Sequence, residues 1–195
     1  MKLLAIVGTN SDVSTNRQLL QFMQSHFAKK ADIELYEIRD LPAFNEPEDR
    51  IAPEGIQELS NKILAADGVI ISTPEYDHTI TAALKSVLEW ISYTTRALVD
   101  KPVMVTGASL GALGSSRAQA HLRQILDAPD IKARVMPSSE FLLGHSSQAF
   151  DETGNLKDQA KVKELETCFE EFQLFVEITH LLIERKREIE RKGDL

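Results

Sequence analysis

The segment GVIISTPEYDHTITAALKSVLEW, Gly68–Trp90, changes character twice within 23 residues. Its first five residues form an apolar run typical of a strand buried on both faces of a parallel sheet. Its last part has apolar residues at helical spacing, among them Ala83, Val87 and Leu88. A stiff, polar and aromatic turn, Pro74–His78, lies between the two. In an open α/β sheet, ligands bind where strands end, so this segment predicts both an α/β fold and a binding site.

The same alternation of strand and helix patterns extends over most of the chain. The other predicted strands are KLLAIVG, DIELYEI, KPVMVTGA and IKARVMP, the last extended by EFLLG. Helical patterns separate them, and one long helical pattern follows residue 156. Alternating elements imply right-handed βαβ units and a parallel sheet covered on both faces. We therefore predict an α/β, flavodoxin-like three-layer sandwich with a five-stranded parallel sheet in the order 2-1-3-4-5.

Composition narrows the classes of protein that fit this chain. Its 195 residues suit one large domain, and its net charge of −8 disfavours a nucleic-acid partner. The single cysteine, Cys168, permits no intramolecular disulfide and is expected to be a small core residue. The amino-terminal apolar run is too short for a signal peptide, and no apolar run reaches about 18 residues. We expect a cytoplasmic protein with no membrane partner.

The loop after the first strand, GTNSDVSTN, Gly8–Asn16, is rich in hydroxyl and amide side chains and opens a helix. The first N–H groups of a helix lack internal partners and attract anions, so the loop suits a phosphate. It is neither a Walker A motif nor a GxGxxG fingerprint, which disfavours ATP-driven chemistry and standard dinucleotide binding. The alternative is a capped helix behind a solvated loop, because Ser, Thr and Asn also favour caps.

Three stretches together resemble the NAD(P)H-dependent FMN reductase family. They are GTNSDVSTN, TPEYDHTITAALKSVLEW and SLGALGSSRAQAHLRQIL, which stand in the order and spacing of that family from about Lys2 to Phe175. The most specific part joins Pro74, Glu75 and Tyr76 to the helix that ends at Trp90. The resemblance implies a flavodoxin-like FMN-binding domain over residues 1–178, followed by a C-terminal helical extension over residues 179–195.

The resemblance also implies which residues hold the cofactor FMN, with neither a catalytic side chain nor a metal ion required. The phosphate would lie against Thr9, Ser11, Ser14, Thr15 and Asn16. The isoalloxazine ring would lie against Pro74, Glu75, Tyr76 and Asp77 on one edge and Ser109, Leu110, Gly111 and Gly114 on the other. Ser11 stands where the family commonly has Arg or Lys, and Asp77 where Asn is usual. An ion pair between Arg117 and Glu140 is expected near the third loop, SLGALGSS, Ser109–Ser116.

The function implied is that of an oxidoreductase in which FMN takes a hydride from NADPH or NADH. The electrons then pass to a small-molecule acceptor such as a quinone, an azo compound, a metal oxyanion or free flavin. A homodimer or homotetramer is expected, built on the Trp90 helix and neighbouring loops. Two alternatives stay open: an electron carrier or FMN-binding partner protein without NAD(P)H turnover, and a flavin-free interaction domain.

Overall fold

The computed structural model describes residues 1–193, in which helices cover both faces of one sheet. The strands are β1 (Lys2–Val7), β2 (Asp32–Glu37), β3 (Gly68–Ser72), β4 (Pro102–Ala108), β5 (Arg134–Val135) and β6 (Phe141–Leu143). The helices are α1 (Thr15–His26), α2 (Glu54–Ala65), α3 (Ala82–Trp90), α4 (Ser116–Leu126) and α5 (Gln159–Lys192). A π-helical turn, Ile91–Thr95, continues α3, and a 3₁₀ turn, Ser146–Gln148, follows β6.

The sheet is parallel throughout, in the order β2-β1-β3-β4-β5, which confirms the predicted fold class and strand order. The fifth position contains two short strands, since β5 and β6 both pair with β4, at different points along it. Arg123 of α4 reaches the segment between them and donates to the carbonyls of Met136 and Ser139, at 2.7 and 2.9 Å. These carbonyls are therefore satisfied by a side chain instead of a neighbouring strand.

Two apolar cores lie on opposite faces of the sheet. On one face α1 and α5 pack together, and the rings of Phe27 and Phe169 stack with centroids 3.9 Å apart. Cys168 is buried in this core, as predicted, and burial raises the pKa of its thiol. Helices α2, α3 and α4 supply the other core. The central strands are buried on both faces, which explains their nearly continuous apolar sequences.

Helix α5 is a single element of 34 residues, as its pattern predicts. It begins where Asp158 accepts from the N–H of Ala160 at 2.8 Å, and it ends at Gly193. It passes without a break through the predicted domain boundary at residue 178, and Lys186 reaches Asp100 on the main body at 3.3 Å. Residues 194 and 195 of the predicted extension lie outside the described residues. No helix in the described range is long and apolar enough to span a membrane.

Candidate functional site

A cleft of about 850 Å³ opens at the edge of the sheet where β1, β3 and β4 end. The loops after these three strands form its walls, as the arrangement of a parallel sheet requires. The residues that line it are Thr9, Val13, Ser14, Thr15, Asn16, Gln18, Pro74, Glu75, Tyr76, His78, Ala108, Ser109, Leu110, Gly111, Ala112, Leu113, Arg117 and Ser147.

Most of the residues that the sequence nominated for the site line this cleft, and the exceptions are Ser11, Asp77 and Gly114. The hydroxyl of Ser11 turns away and donates to the carbonyl of Val13 at 2.8 Å. Asp77 lies at the exposed tip of a tight turn. Gly114 has a positive φ of 58°, and an added Cβ would meet the backbone of residue 142 at 2.7 Å. Gly114 therefore shapes the third loop from behind the cleft wall.

Asn16, which follows β1, connects the start of α1 to the ends of β3 and β4. Its amide nitrogen donates to the carbonyl of Ala108 at 2.9 Å, and its amide oxygen accepts from the N–H of Ala108 at 2.9 Å. The same oxygen accepts from the hydroxyl of Ser72 at 2.8 Å. Since Asn16 is only 2% exposed, its side chain is committed to the scaffold. Only its backbone N–H is available to a ligand.

The loop after β1 is held from outside by arginine. Arg17 donates to the carbonyls of Ser11 and Asp12, at 3.0 Å each, and to both carboxylate oxygens of Glu37. The hydrogen bond that Arg17 donates to Glu37 raises the pKa of Arg17, so its guanidinium stays charged. Because C=O and N–H point in opposite directions across a trans peptide, the N–H groups that follow these carbonyls turn away from Arg17.

Several backbone donors of this loop have no internal acceptor. Over residues 1–193, the N–H groups of Asp12, Val13, Thr15 and Asn16 make no hydrogen bond. The nearby carboxylates are occupied elsewhere, since Asp12 pairs with Arg39 and Glu37 with Arg17. Free N–H groups at a helix N-terminus, with no unpaired acid beside them, favour an anion.

The Pro74–His78 turn owes its stiffness to a two-residue hairpin. The backbones of Tyr76 and Thr79 exchange hydrogen bonds of 3.0 and 2.9 Å. Asp77 and His78 between them have φ values of 48° and 64°, as a type I′ turn requires. Asp tolerates this conformation, as does the Asn that the family usually has there. The side chain of Tyr76 is left half exposed at the cleft.

Glu75 connects the second wall of the cleft to the third. One of its carboxylate oxygens accepts from the N–H groups of Arg117 and Ala118 at 3.1 and 3.4 Å, so it caps α4. The other accepts from the Arg117 guanidinium at 3.2 Å. The expected pairing of Arg117 with Glu140 is therefore wrong, because Glu75 lies closer to the start of α4. The Glu75 carboxylate therefore links the Pro74–His78 turn to the start of α4.

The third loop folds over Ser109 and the segment after β6. The Ser109 carbonyl accepts from the N–H of Ser146 at 3.0 Å, and the Ser146 hydroxyl lies 2.9 Å from that of Thr15. Gly111 has open space around its Cα, since an added Cβ would meet no atom within 4 Å. The residues after β6, including Ser147 at the cleft, were missed from the sequence. They were predictable, because EFLLG extends the last predicted strand and parallel strands end at the same edge of a sheet.

Arg117 was noted in the sequence only for its expected partner, and other cleft residues were not assigned to the site at all. Those others are Val13, Gln18, His78, Ala108, Ala112 and Leu113. Within residues 1–193, no group of His, Cys, Asp and Glu side chains is arranged to hold a metal ion.

A parallel sheet in this order, with a cleft at its switch point and free donors at the first helix, defines a flavodoxin-like protein. Comparison with known proteins specifies the family. Residues 1–148 match the family described as NADPH-dependent FMN reductase. The chain therefore belongs to that family and is an oxidoreductase that works with FMN and with NADH or NADPH.

Individual relatives agree with this assignment. The chain is 67% identical over 186 residues to NADH:(hydroxy)cinnamate reductase subunit CrdA of Vibrio ruber, covering 95% of this chain and 92% of the relative. It is 48% identical to NADH-dependent flavin reductase subunit 2 of Lactobacillus johnsonii, covering 91% and 98%. Among solved structures, the flavoenzyme NAD(P)H:(acceptor) oxidoreductase FerB of Paracoccus denitrificans superposes with a TM-score of 0.79. It is 26% identical, and the match covers 91% of this chain and 98% of FerB.

Proposed function

We propose that the cleft binds FMN with its phosphate at the loop after β1 and its ring between the other two loops. The observation that supports this most strongly is the set of free backbone N–H groups at the start of α1. An FMN phosphate carries the charge that these donors favour. The proposed phosphate ligands are the backbone and hydroxyl groups of Thr9, Ser11, Ser14, Thr15 and Asn16, with Ser11 acting through its backbone.

We propose that the isoalloxazine ring of FMN lies between the Pro74–His78 turn on one side and the third loop on the other. The residues are Pro74, Glu75, Tyr76 and Asp77, then Ser109, Leu110, Gly111 and Gly114. The turn offers peptide groups at fixed positions because its hairpin is closed by two hydrogen bonds. The open space at Gly111 suits a flat ring that approaches the backbone closely. Asp77 and Gly114 would act by fixing the loops.

FMN supplies the redox chemistry, accepting a hydride from a nicotinamide and passing electrons on. The side chains of this protein contribute position and shape. Arg17 and Asn16 fix the phosphate loop, and Glu75 locks the turn to α4. Leu110 and Tyr76 give the cleft exposed apolar surface, against which a planar substrate can shed water.

We propose NADH as the preferred electron donor, because the relatives from Vibrio ruber and Lactobacillus johnsonii are both named for NADH. The proposed acceptors are small planar molecules: free flavin, quinones or hydroxycinnamates, after the names of relatives. Azo compounds and metal oxyanions stay predictions from the sequence.

Anaerobic mixing of the FMN-loaded protein with NADH, and separately with NADPH, tests the reductase function. We expect the visible flavin band to bleach within seconds with NADH and more slowly with NADPH. Bound FMN that stays oxidised with both nucleotides would refute NAD(P)H turnover. Protein that binds no FMN would refute the proposed site.

A second candidate is an FMN-binding subunit that works only with a different protein. It is favoured by the word "subunit" in the names of two relatives. Steady-state turnover distinguishes it, because the purified chain alone would then not oxidise NADH continuously with any of the small acceptors present.

We further propose a homodimer or homotetramer in which a second chain covers the rim of the cleft. Val13, Leu110 and Leu113 are exposed apolar side chains at this rim. Trp90 itself is buried and donates to the carbonyl of Pro42, so we assign the contact to the loops around α3. A lower mass of the assembly in the variant Leu113→Glu would support this contact, and an unchanged mass would refute it.

The FMN-binding domain over residues 1–178 and the extension from residue 179 stay a proposal. Truncation after residue 178 tests it, since a chain that still folds and binds FMN would support the boundary. The cytoplasmic location also stays a prediction, to be tested by fractionation of cells that produce the full chain.

A further inference from the structure

Helix α5 has an apolar stripe on its outer surface. The stripe consists of Leu174, Ile178, Leu181 and Leu182, all of which are more than half exposed. Their spacing of four, three and one residues places them on one side of the helix. The buried residues of α5, such as Phe172 and Val176, point to the other side and pack on the sheet. The stripe is therefore additional to the surface that holds α5 in the fold.

Charged residues at the two ends of the stripe have opposite signs. Glu171 lies one turn before Leu174, and Arg185 lies one turn after Leu181, both exposed on the same side of the helix. Measured from Ile178, Glu171 and Arg185 are each seven residues away, and Leu174 and Leu182 are each four away. Leu174 and Leu182 therefore lie symmetrically about Ile178, and so do Glu171 and Arg185, which differ in the sign of their charge. Within one chain both charged side chains have exposed partners that a second copy would replace, since Arg185 pairs with Glu188 at 2.9 Å and Glu171 accepts from the Ser139 hydroxyl.

We propose that the apolar stripe of α5 is a docking surface for a second copy of this chain, paired antiparallel about a two-fold axis near Ile178. Antiparallel pairing places Leu174 opposite Leu182 and Glu171 opposite Arg185 of the second copy. The two-fold axis repeats each contact, which gives an apolar centre with an ion pair at either end. A different protein would gain nothing from this symmetry about Ile178.

The length of α5 allows such a contact. Pairs that are symmetric about Ile178 extend from Glu164 to Lys192, which also differ in the sign of their charge. These 29 residues form a helix about 43 Å long at a rise of about 1.5 Å per residue. The contact is also independent of the cleft, because it lies on an outer helix and none of the stripe residues lines the site.

The test compares the mass of the full chain with that of the variant Ile178→Glu, using light scattering after gel filtration at micromolar concentration. Ile51→Glu is a matched control, because Ile51 in the loop before α2 is 67% exposed and Ile178 is 63% exposed. We expect wild type and Ile51→Glu to form the same assembly and Ile178→Glu to form one with half as many chains. The dissociation constant of the contact should rise at least about 100-fold, since a central apolar residue is lost from both copies. A monomeric wild type, or an unchanged mass for Ile178→Glu, would overturn the proposal.

Exchanging the charges at the two ends of the stripe tests whether the docking partner is a second copy of this chain. Glu171→Arg alone should weaken the assembly, and Glu171→Arg with Arg185→Glu should restore it, because the exchanged charges again face each other in two identical chains. Failure of the double variant to restore the mass would overturn the antiparallel pairing. FMN content and NADH oxidation are measured for every variant, and we expect both to match wild type. The outcome is therefore separate from any failure of the proposed cleft.

Discussion

Asn16→Ala is the substitution that tests the scaffold of the site most severely. It removes three buried hydrogen bonds, two to Ala108 and one to Ser72. A net loss of about 1 kcal/mol for each bond gives about 3 kcal/mol, and partners left unsatisfied raise the upper limit to about 5 kcal/mol. For a domain of this size, about 3 kcal/mol corresponds to a melting temperature lower by roughly 6–12 °C.

Urea unfolding of the FMN-free protein, followed by circular dichroism, gives the change in the free energy of unfolding. The control is Asn61→Ala, an exposed asparagine on α2 for which we expect a change within about 0.5 kcal/mol. We expect FMN affinity to fall together with stability in Asn16→Ala, because the same bonds position the phosphate loop and the third loop. A loss of stability below about 1 kcal/mol, with FMN affinity unchanged, would refute the role assigned to Asn16.

Other substitutions test individual walls of the cleft. Gly111→Val should leave the free energy of unfolding within about 0.5 kcal/mol of wild type, because a Cβ at this position would meet no atom within 4 Å. It should weaken FMN binding at least about 10-fold, as measured by quenching of flavin fluorescence, because Gly111 lines the cleft. Gly107→Ala should instead prevent folding or lower the melting temperature sharply, because its Cβ would lie 2.2 and 2.3 Å from two oxygen atoms. Glu75→Ala should destabilise the protein by about 1 kcal/mol in urea through loss of the α4 cap, whereas Glu75→Gln, which keeps the acceptor, should cost less. Cys168 should react with a thiol reagent at pH 8 far more slowly in the folded than in the unfolded protein, because burial raises the pKa of its thiol and keeps it protonated.

The sheet was predictable because its central strands are short, nearly continuous apolar runs separated by helical patterns. Their order followed from the rules for parallel sheets. The three loops of the cleft followed in turn, since polar residues stood after β1, β3 and β4. Local sequence carries this information, because hydrophobic periodicity and turn residues act over a few positions.

The missed features depend on contacts between distant residues. The break between β5 and β6 is stabilised by Arg123 from α4, and nothing in the strand sequence points to that arginine. Glu75 lies 42 residues from Arg117, and no local pattern favours it over Glu140 as the partner of that arginine. The sequence is equally compatible with an Asn16 side chain that binds a ligand, whereas in the structure its amide donates to the carbonyl of Ala108. Pairings of this kind are set by the packed fold.

If the loop after β1 binds the FMN phosphate, the protein should bind FMN more tightly than riboflavin, which lacks only that phosphate. Flavin fluorescence quenching would be measured for wild type, Val13→Asp and its neutral control Val13→Asn, since Val13 lines the cleft and is 87% exposed. We expect wild type to bind FMN at least about 10-fold more tightly than riboflavin, a difference of about 1.4 kcal/mol. Val13→Asp should weaken FMN binding selectively through charge repulsion, and Val13→Asn should not. Equal affinities for FMN and riboflavin in all three proteins would show that the loop after β1 does not bind the phosphate.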